Sequence, residues 1–123
     1  MNRNTRKKET SEINAVTNKD LLTLYTGWIH SDPYLAKNTK SVYLADVRNF
    51  ISFLGEHDAR AVTPDTISLL IRHMVAVGRS TSSIYRIVVS VRNFYKWMKA
   101  EGHVKENPVK GFNMQKINGM IDC

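Results

Sequence analysis

The sequence predicts an all-α bundle, and three observations carry that expectation. Four segments repeat their apolar residues with a helical period, and no stretch alternates with the period of a strand. Gly55, Gly78 and Gly102 fall at the ends of those segments, and Pro33 and Pro64 mark their boundaries. At 123 residues and 42% hydrophobic content, the chain is one domain with enough apolar surface for a modest core.

Residues 1 to 17 come first. They are polar, with Arg3, Arg6, Lys7 and Lys8 ahead of Glu9 and Glu12, and read as a flexible basic arm. The first helix is expected from about residue 18 to 30. Leu21, Leu22, Leu24, Tyr25, Trp28 and Ile29 spread over an unusually wide arc, and Asp32-Pro33 ends the helix. The second is expected from an Asn38 cap to Leu54. Tyr43, Val47, Phe50, Ile51 and Leu54 form one face, and Gly55 is the stop.

The third begins at Thr63-Pro64-Asp65, an N-cap, a first-turn proline and an acid that suits the helix dipole. Ile67, Leu70, Ile71 and Met74 form its stripe and Gly78 closes it. The fourth runs from about residue 82 to 101. Ile84, Ile87, Val88, Val91, Phe94, Tyr95 and Met98 face inward and Gly102 stops it. After Asn107-Pro108 no period is evident, so the domain is expected to span 18–112, with 113–123 a linker.

Charge narrows the partner. The formal net charge is +7, which favours an anionic partner. The lone Cys123 excludes an internal disulfide, and His30, His73 and His103 show no ligand spacing, so neither metal nor cofactor is expected. The N-terminus lacks the apolar core of a secretory signal, and no apolar run reaches spanning length. The expected setting is therefore the cytoplasm, with no membrane partner.

Two helices carry polar faces poor in acids. On the fourth, Ser83, Arg86, Ser90 and Asn93 lie together, while Arg92, Lys96 and Lys99 form a second, basic strip. From Arg79 to Lys110 there are seven Lys/Arg against two acids, Glu101 and Glu106. On the second, Ser41, Ala45, Arg48 and Ser52 lie opposite the apolar face. A solvated helix face usually mixes Glu with Lys. Small residues with isolated arginines instead permit close approach to a surface and contact with phosphate or guanine edges. An ordinary basic bundle is the competing reading.

The stretch NTKSVYLADVRNFISFL, then a helix opened by Thr-Pro, then SIYRIVVSVRNFYKWMKAEGHVKENPV, resembles the core-binding domain of the tyrosine recombinases, or phage integrases. The elements that carry the resemblance are Asn38-Thr39 followed by Tyr43 and Asp46, the Arg86 to Arg92 spacing, Phe94-Tyr95, and Gly102 followed by Asn107-Pro108. It implies a compact four- to five-helix SAM-like bundle that forms half of a clamp on the recombination core site of double-stranded DNA. Its second and fourth helices would cross the major groove. Thr39, Ser41, Val42, Ala45 and Arg48 would then touch DNA from the second helix, and Ser83, Arg86, Ser90 and Asn93 from the fourth. Lys37, Lys40, Arg92, Lys96 and Lys99 would contact phosphates, and Tyr43 would belong to the core. Neighbouring recombinase protomers on DNA are a second implied partner, and the nucleoid the implied location.

In that family the chemistry lies in a separate catalytic domain, toward which 113–123 would lead. The chain by itself is then expected to bind without cleaving, and not to be an enzyme. His57-Asp58-Ala59-Arg60 mimics a catalytic His-x-x-Arg, but it falls between the Gly55 stop and the Thr63 cap, in a loop. The five tyrosines, Tyr25, Tyr34, Tyr43, Tyr85 and Tyr95, lie in or beside the bundle, none in the setting of the nucleophile. Two alternatives stay open. One is a protein-interaction bundle, favoured by the wide arc of the first helix. The other is a small helix-turn-helix regulator, against which the loops read as too long. Because Arg86 lies off the apolar stripe, its replacement is expected to cost only about half a kcal/mol of stability.

Overall fold

The computed structural model describes residues 16–122. Among the described residues there are five α-helices and no strand: α1 (Asn18–Ser31), α2 (Lys37–Leu54), α3 (Pro64–Ala76), α4 (Thr81–Ala100) and α5 (Met114–Asp122). One 3₁₀ turn, Ala59–Ala61, precedes α3. The all-α expectation holds. Of the arm expected over residues 1–17, residues 1–15 lie outside the described residues, whereas Val16 and Thr17 belong to the fold. Thr17 caps α1 by accepting from the Asp20 N–H at 3.1 Å, and Asp20 accepts from the Thr17 N–H at 3.0 Å. Arg60 Nη2 donates to the Val16 carbonyl at 2.8 Å.

Helix α4 is the centre of the bundle. It buries Ile84, Ile87, Val88, Val91, Phe94, Tyr95, Trp97 and Met98 and packs most extensively on α2, which also receives α1. Ser80 caps α4 by accepting from the Ser83 N–H. At its end Gly102 takes φ 82°, and the His103 N–H reaches back to the Met98 carbonyl. The wide apolar arc of α1 divides: Leu21, Tyr25 and Ile29 are buried, Leu22 is half-buried, and Leu24 and Trp28 are exposed. Tyr43 is half-buried against the core.

The structure corrects three local expectations. Helix α2 is capped by Ala36 without a side-chain bond and starts at Lys37, so Asn38 sits in the first turn. The α3–α4 connection is residues 77–80, as short as a helix-turn-helix turn, so loop length does not argue against that alternative. Residues 113–123 are not an aperiodic linker over their described part, because 114–122 form α5. Asn113 Oδ1 accepts from the Lys116 N–H, Ile117 is buried, and Met120 and Ile121 pack on the core. The helix leans on α3 and α4, and the Tyr85 hydroxyl donates to Asn118.

The His57–Arg60 segment is structural. Asp58 accepts from the Arg60 backbone N–H and pairs with its guanidinium at 2.9 Å. Asn18 bonds the Ala59 N–H and the His57 carbonyl, and the Tyr95 hydroxyl donates to the Ala59 carbonyl at 2.7 Å.

Helix α5 is short and buries only Ile117, with Met120 and Ile121 half-buried beside it, so it should release locally. Ile117→Asp is expected to expose the α5 amides to hydrogen exchange while α1–α4 stay protected and the melting midpoint falls by a few degrees at most. A cooperative loss of the whole bundle would show instead that α5 is part of its core.

Candidate nucleic-acid interface

The outer face of α2 is as the sequence suggests. Ser41, Val42, Ala45, Arg48, Asn49 and Ser52 are exposed, and Thr39 is half-buried. Arg48 has no ion pair among the described residues. Lys37 is exposed, whereas Lys40 is half-buried and its Nζ donates to the His30 carbonyl at 3.1 Å.

Helix α4 differs. Its Ser83–Arg86–Ser90–Asn93 face is a seam against α2 and α1 rather than an open surface. Ser90 is fully buried and donates to Asp46 Oδ2 at 2.7 Å. Asn93 is half-buried and its amide donates to the Tyr25 hydroxyl at 2.8 Å. Burial pushes the Tyr25 phenol up to about 12, although the Asn93 bond works the other way. Ser83 is half-buried within the Ser80 cap. Two neighbouring helices cover more of α4 than its apolar stripe requires, and the polar residues caught under them find polar partners. Ser90 therefore cannot touch DNA in this structure.

Arg86 stands at the mouth of that seam. Its Nε donates to Asp46 Oδ2 at 3.1 Å and its Nη2 to Oδ1 at 2.8 Å. The Asp46 side chain is 2% exposed and the Arg86 side chain 48%. The bond to Asp46 holds the guanidinium proton above its already high ordinary value. Asp46 is the one acidic residue on α2 and α4 together, so the outward surface of this helix pair carries no carboxylate. Ser82, Arg86, Val89, Lys96 and Ala100 form one exposed helical stripe on α4, with Thr81 and Lys99 exposed to one side of it.

The second basic strip does not hold together as an open surface. Arg92 is half-buried and donates to the Phe112 carbonyl, while Asn107 bonds the Arg92 carbonyl, so this arginine ties down the segment leading to α5. Lys99 lies 4.0 Å from Glu106, which Lys110 also approaches at 3.9 Å. Among the described residues, Lys96 alone of the strip is exposed without an ion pair.

Arg79 was missed by reasoning on helix faces because it lies in the α3–α4 turn. It is exposed, has no ion pair among the described residues, and with Asn49, Ser52 and His73 lines a groove of about 340 Å³. The available signal was an arginine set between a stop glycine and a serine cap. Among the described residues no three His, Cys, Asp or Glu residues cluster as metal ligands, and no helix is long and apolar enough to cross a membrane.

Comparison with known proteins agrees with this architecture. A Caldanaerobacter subterraneus protein carrying a tyrosine-recombinase name is 29% identical over 85 residues, 68% of this chain and 29% of that protein. The tyrosine recombinase XerD of Agrobacterium fabrum is 37% identical over 97 residues, 71% of this chain and 29% of its own length. XerC of Pseudomonas putida is 25% identical over 101 residues, covering 80% and 34%. The chain thus spans only about a third of the length of the curated relatives it matches. No solved structure matches it significantly. The signature described as phage integrase, N-terminal SAM-like domain matches residues 22–102, most of the helical bundle, and the chain belongs to that family.

Proposed function

We propose that this domain binds double-stranded DNA as the core-binding half of a site-specific tyrosine recombinase. The observation that carries the reading is the acid-free outer surface of α2 and α4, whose single carboxylate is buried beneath Arg86. Arg48, Arg79 and Lys96, which have no ion pair among the described residues, supply cations on or beside that surface. Ser41, Ala45 and Ser82 are small enough to let the helices come close to a groove. The names of the relatives support a role in recombination. On this reading residues 1–123 grip the site and the strand-cleaving chemistry belongs to another part of the recombinase. Family membership also weighs against a free-standing helix-turn-helix regulator. A second contact, with a neighbouring protein subunit on DNA, is favoured by the exposed Leu24 and Trp28 on α1.

The test is a salt titration of binding to two unrelated duplexes. Affinity in the nonspecific range, Kd on the order of 10⁻⁴ to 10⁻⁶ M, is expected, falling linearly on a log–log plot against salt. Arg48→Ala, Arg79→Ala and Lys96→Ala should each lower the magnitude of that slope by about 0.9 on both duplexes. Lys110→Ala should leave it intact, because Lys110 sits beside Glu106 and lies on neither α2 nor α4. Absence of binding at low salt would overturn the proposal.

A further inference from the structure

We propose that Arg86 reads a guanine in the DNA major groove, and that Asp46 and Ser90 are positioning residues that aim it; this rests on the DNA-binding reading above. A guanidinium carries five N–H donors in a planar fork. Asp46 occupies the edge formed by Nε and Nη2. The other edge, formed by Nη1 and the second hydrogen of Nη2, has no partner among the described residues, and the side chain is half-exposed. That free edge is the one suited to a bidentate bond with guanine N7 and O6.

Charge selects a base edge over a phosphate. Arg86 is already neutralised by Asp46, so a phosphate gains little from it and meets a carboxylate directly behind it. Guanine N7 and O6 are uncharged acceptors and incur no such repulsion. This separates Arg86 from Arg48, Arg79 and Lys96, which have no ion pair among the described residues.

The support for the fork is rigid. Both oxygens of Asp46 are engaged, Oδ1 by Arg86 and Oδ2 by Arg86 and Ser90. Asp46 and Ser90 are buried, so neither is free to turn. A guanidinium fixed in this way loses little side-chain freedom on meeting its base. Ala45 precedes Asp46, and Val42 and Val89 lie one turn away on either helix. All three are exposed, and none carries a polar group that could compete for the fork.

The experiment begins with selection of duplexes from a random pool by the 123-residue chain at low salt. Binding is then compared on the selected duplex, on the same duplex with the guanine changed to adenine, and on one with 7-deazaguanine, which lacks the N7 acceptor. A preference of roughly 5- to 150-fold for guanine over adenine is expected at one position. That ratio should persist between about 50 and 200 mM salt, because no counterion is released at a base. The 7-deazaguanine duplex should lose much of the advantage.

Arg86→Lys keeps a cation beside Asp46 but has no fork, and should bring the ratio close to one. Asp46→Asn and Ser90→Ala should each lower the ratio at temperatures where circular dichroism shows the variant folded, which a purely structural role would not do. If the chain binds DNA but Arg86→Lys keeps the full ratio, or 7-deazaguanine binds as well as guanine, the inference fails and the DNA-binding reading stands. If Arg86→Ala instead lowers the magnitude of the salt slope by about 0.9, Arg86 touches a phosphate and the inference likewise fails. If the wild-type chain binds no DNA, the DNA-binding reading falls and takes the inference with it.

Discussion

Phe94→Ala is expected to cost about 3–5 kcal/mol, a large share of the stability of a domain of this size. Phe94 is fully buried in α4 at the meeting of three aromatic rings. Tyr25 and Tyr95 meet it edge-on at 5.1 Å and 5.2 Å, and Trp97 stacks at 6.0 Å. Tyr95 passes the packing on to Phe50 of α2 at 5.9 Å. Removing the ring deletes contacts with α1 and within α4 at once, and rigid aromatic neighbours collapse poorly into the gap. Urea unfolding checks this: the midpoint should fall with the slope unchanged. A loss below about 1 kcal/mol would mean that the cluster relaxes into the space.

Arg86→Ala is expected to destabilise the bundle by about 2–3 kcal/mol, well above the half kcal/mol expected from the helical wheel alone. The loss lies less in the arginine than in what it leaves behind. Asp46 would keep only the Ser90 hydroxyl as partner, in a site that is 2% exposed in the intact protein. Arg86 is half-exposed, so its removal admits some water to the carboxylate. That holds the cost below the 3–5 kcal/mol typical of breaking a fully buried pair. A double-mutant cycle isolates the effect. In an Asp46→Asn background, Arg86→Ala should cost about 1–2 kcal/mol less than in wild type. Equal costs in both backgrounds would show that the ion pair contributes nothing to stability. The same measurement bounds the DNA experiments, since variants at this pair must be compared below their own melting transitions.

Four of the five helices were legible in the sequence, because the signals that set them are local. Apolar residues at helical spacing mark α1 to α4, and Pro33, Gly55, Pro64, Gly78 and Gly102 punctuate them. Helix α5 was passed over although Ile117, Met120 and Ile121 hold the right spacing, since a single nine-residue segment with four apolar positions, one of them the exposed Met114, makes a weak pattern. The α2 half of the candidate surface was likewise readable, because its polar face has no helix over it.

The sequence by itself thus determined the helices, the core stripes, the basic balance and the family resemblance. Only the tertiary structure decided which polar residues remain outside. Ser90 and Asn93 turn inward, Arg92 is spent on the Phe112 carbonyl, Lys99 sits near Glu106, and Arg79 emerges from a turn. The reason is that a helical wheel fixes the angles between side chains on one helix, whereas burial depends on how many other helices cover it. Asp46 and Arg86 are forty positions apart in the chain and a guanidinium's width apart in the fold. No local period encodes that distance, because it is set by the packing of α2 on α4.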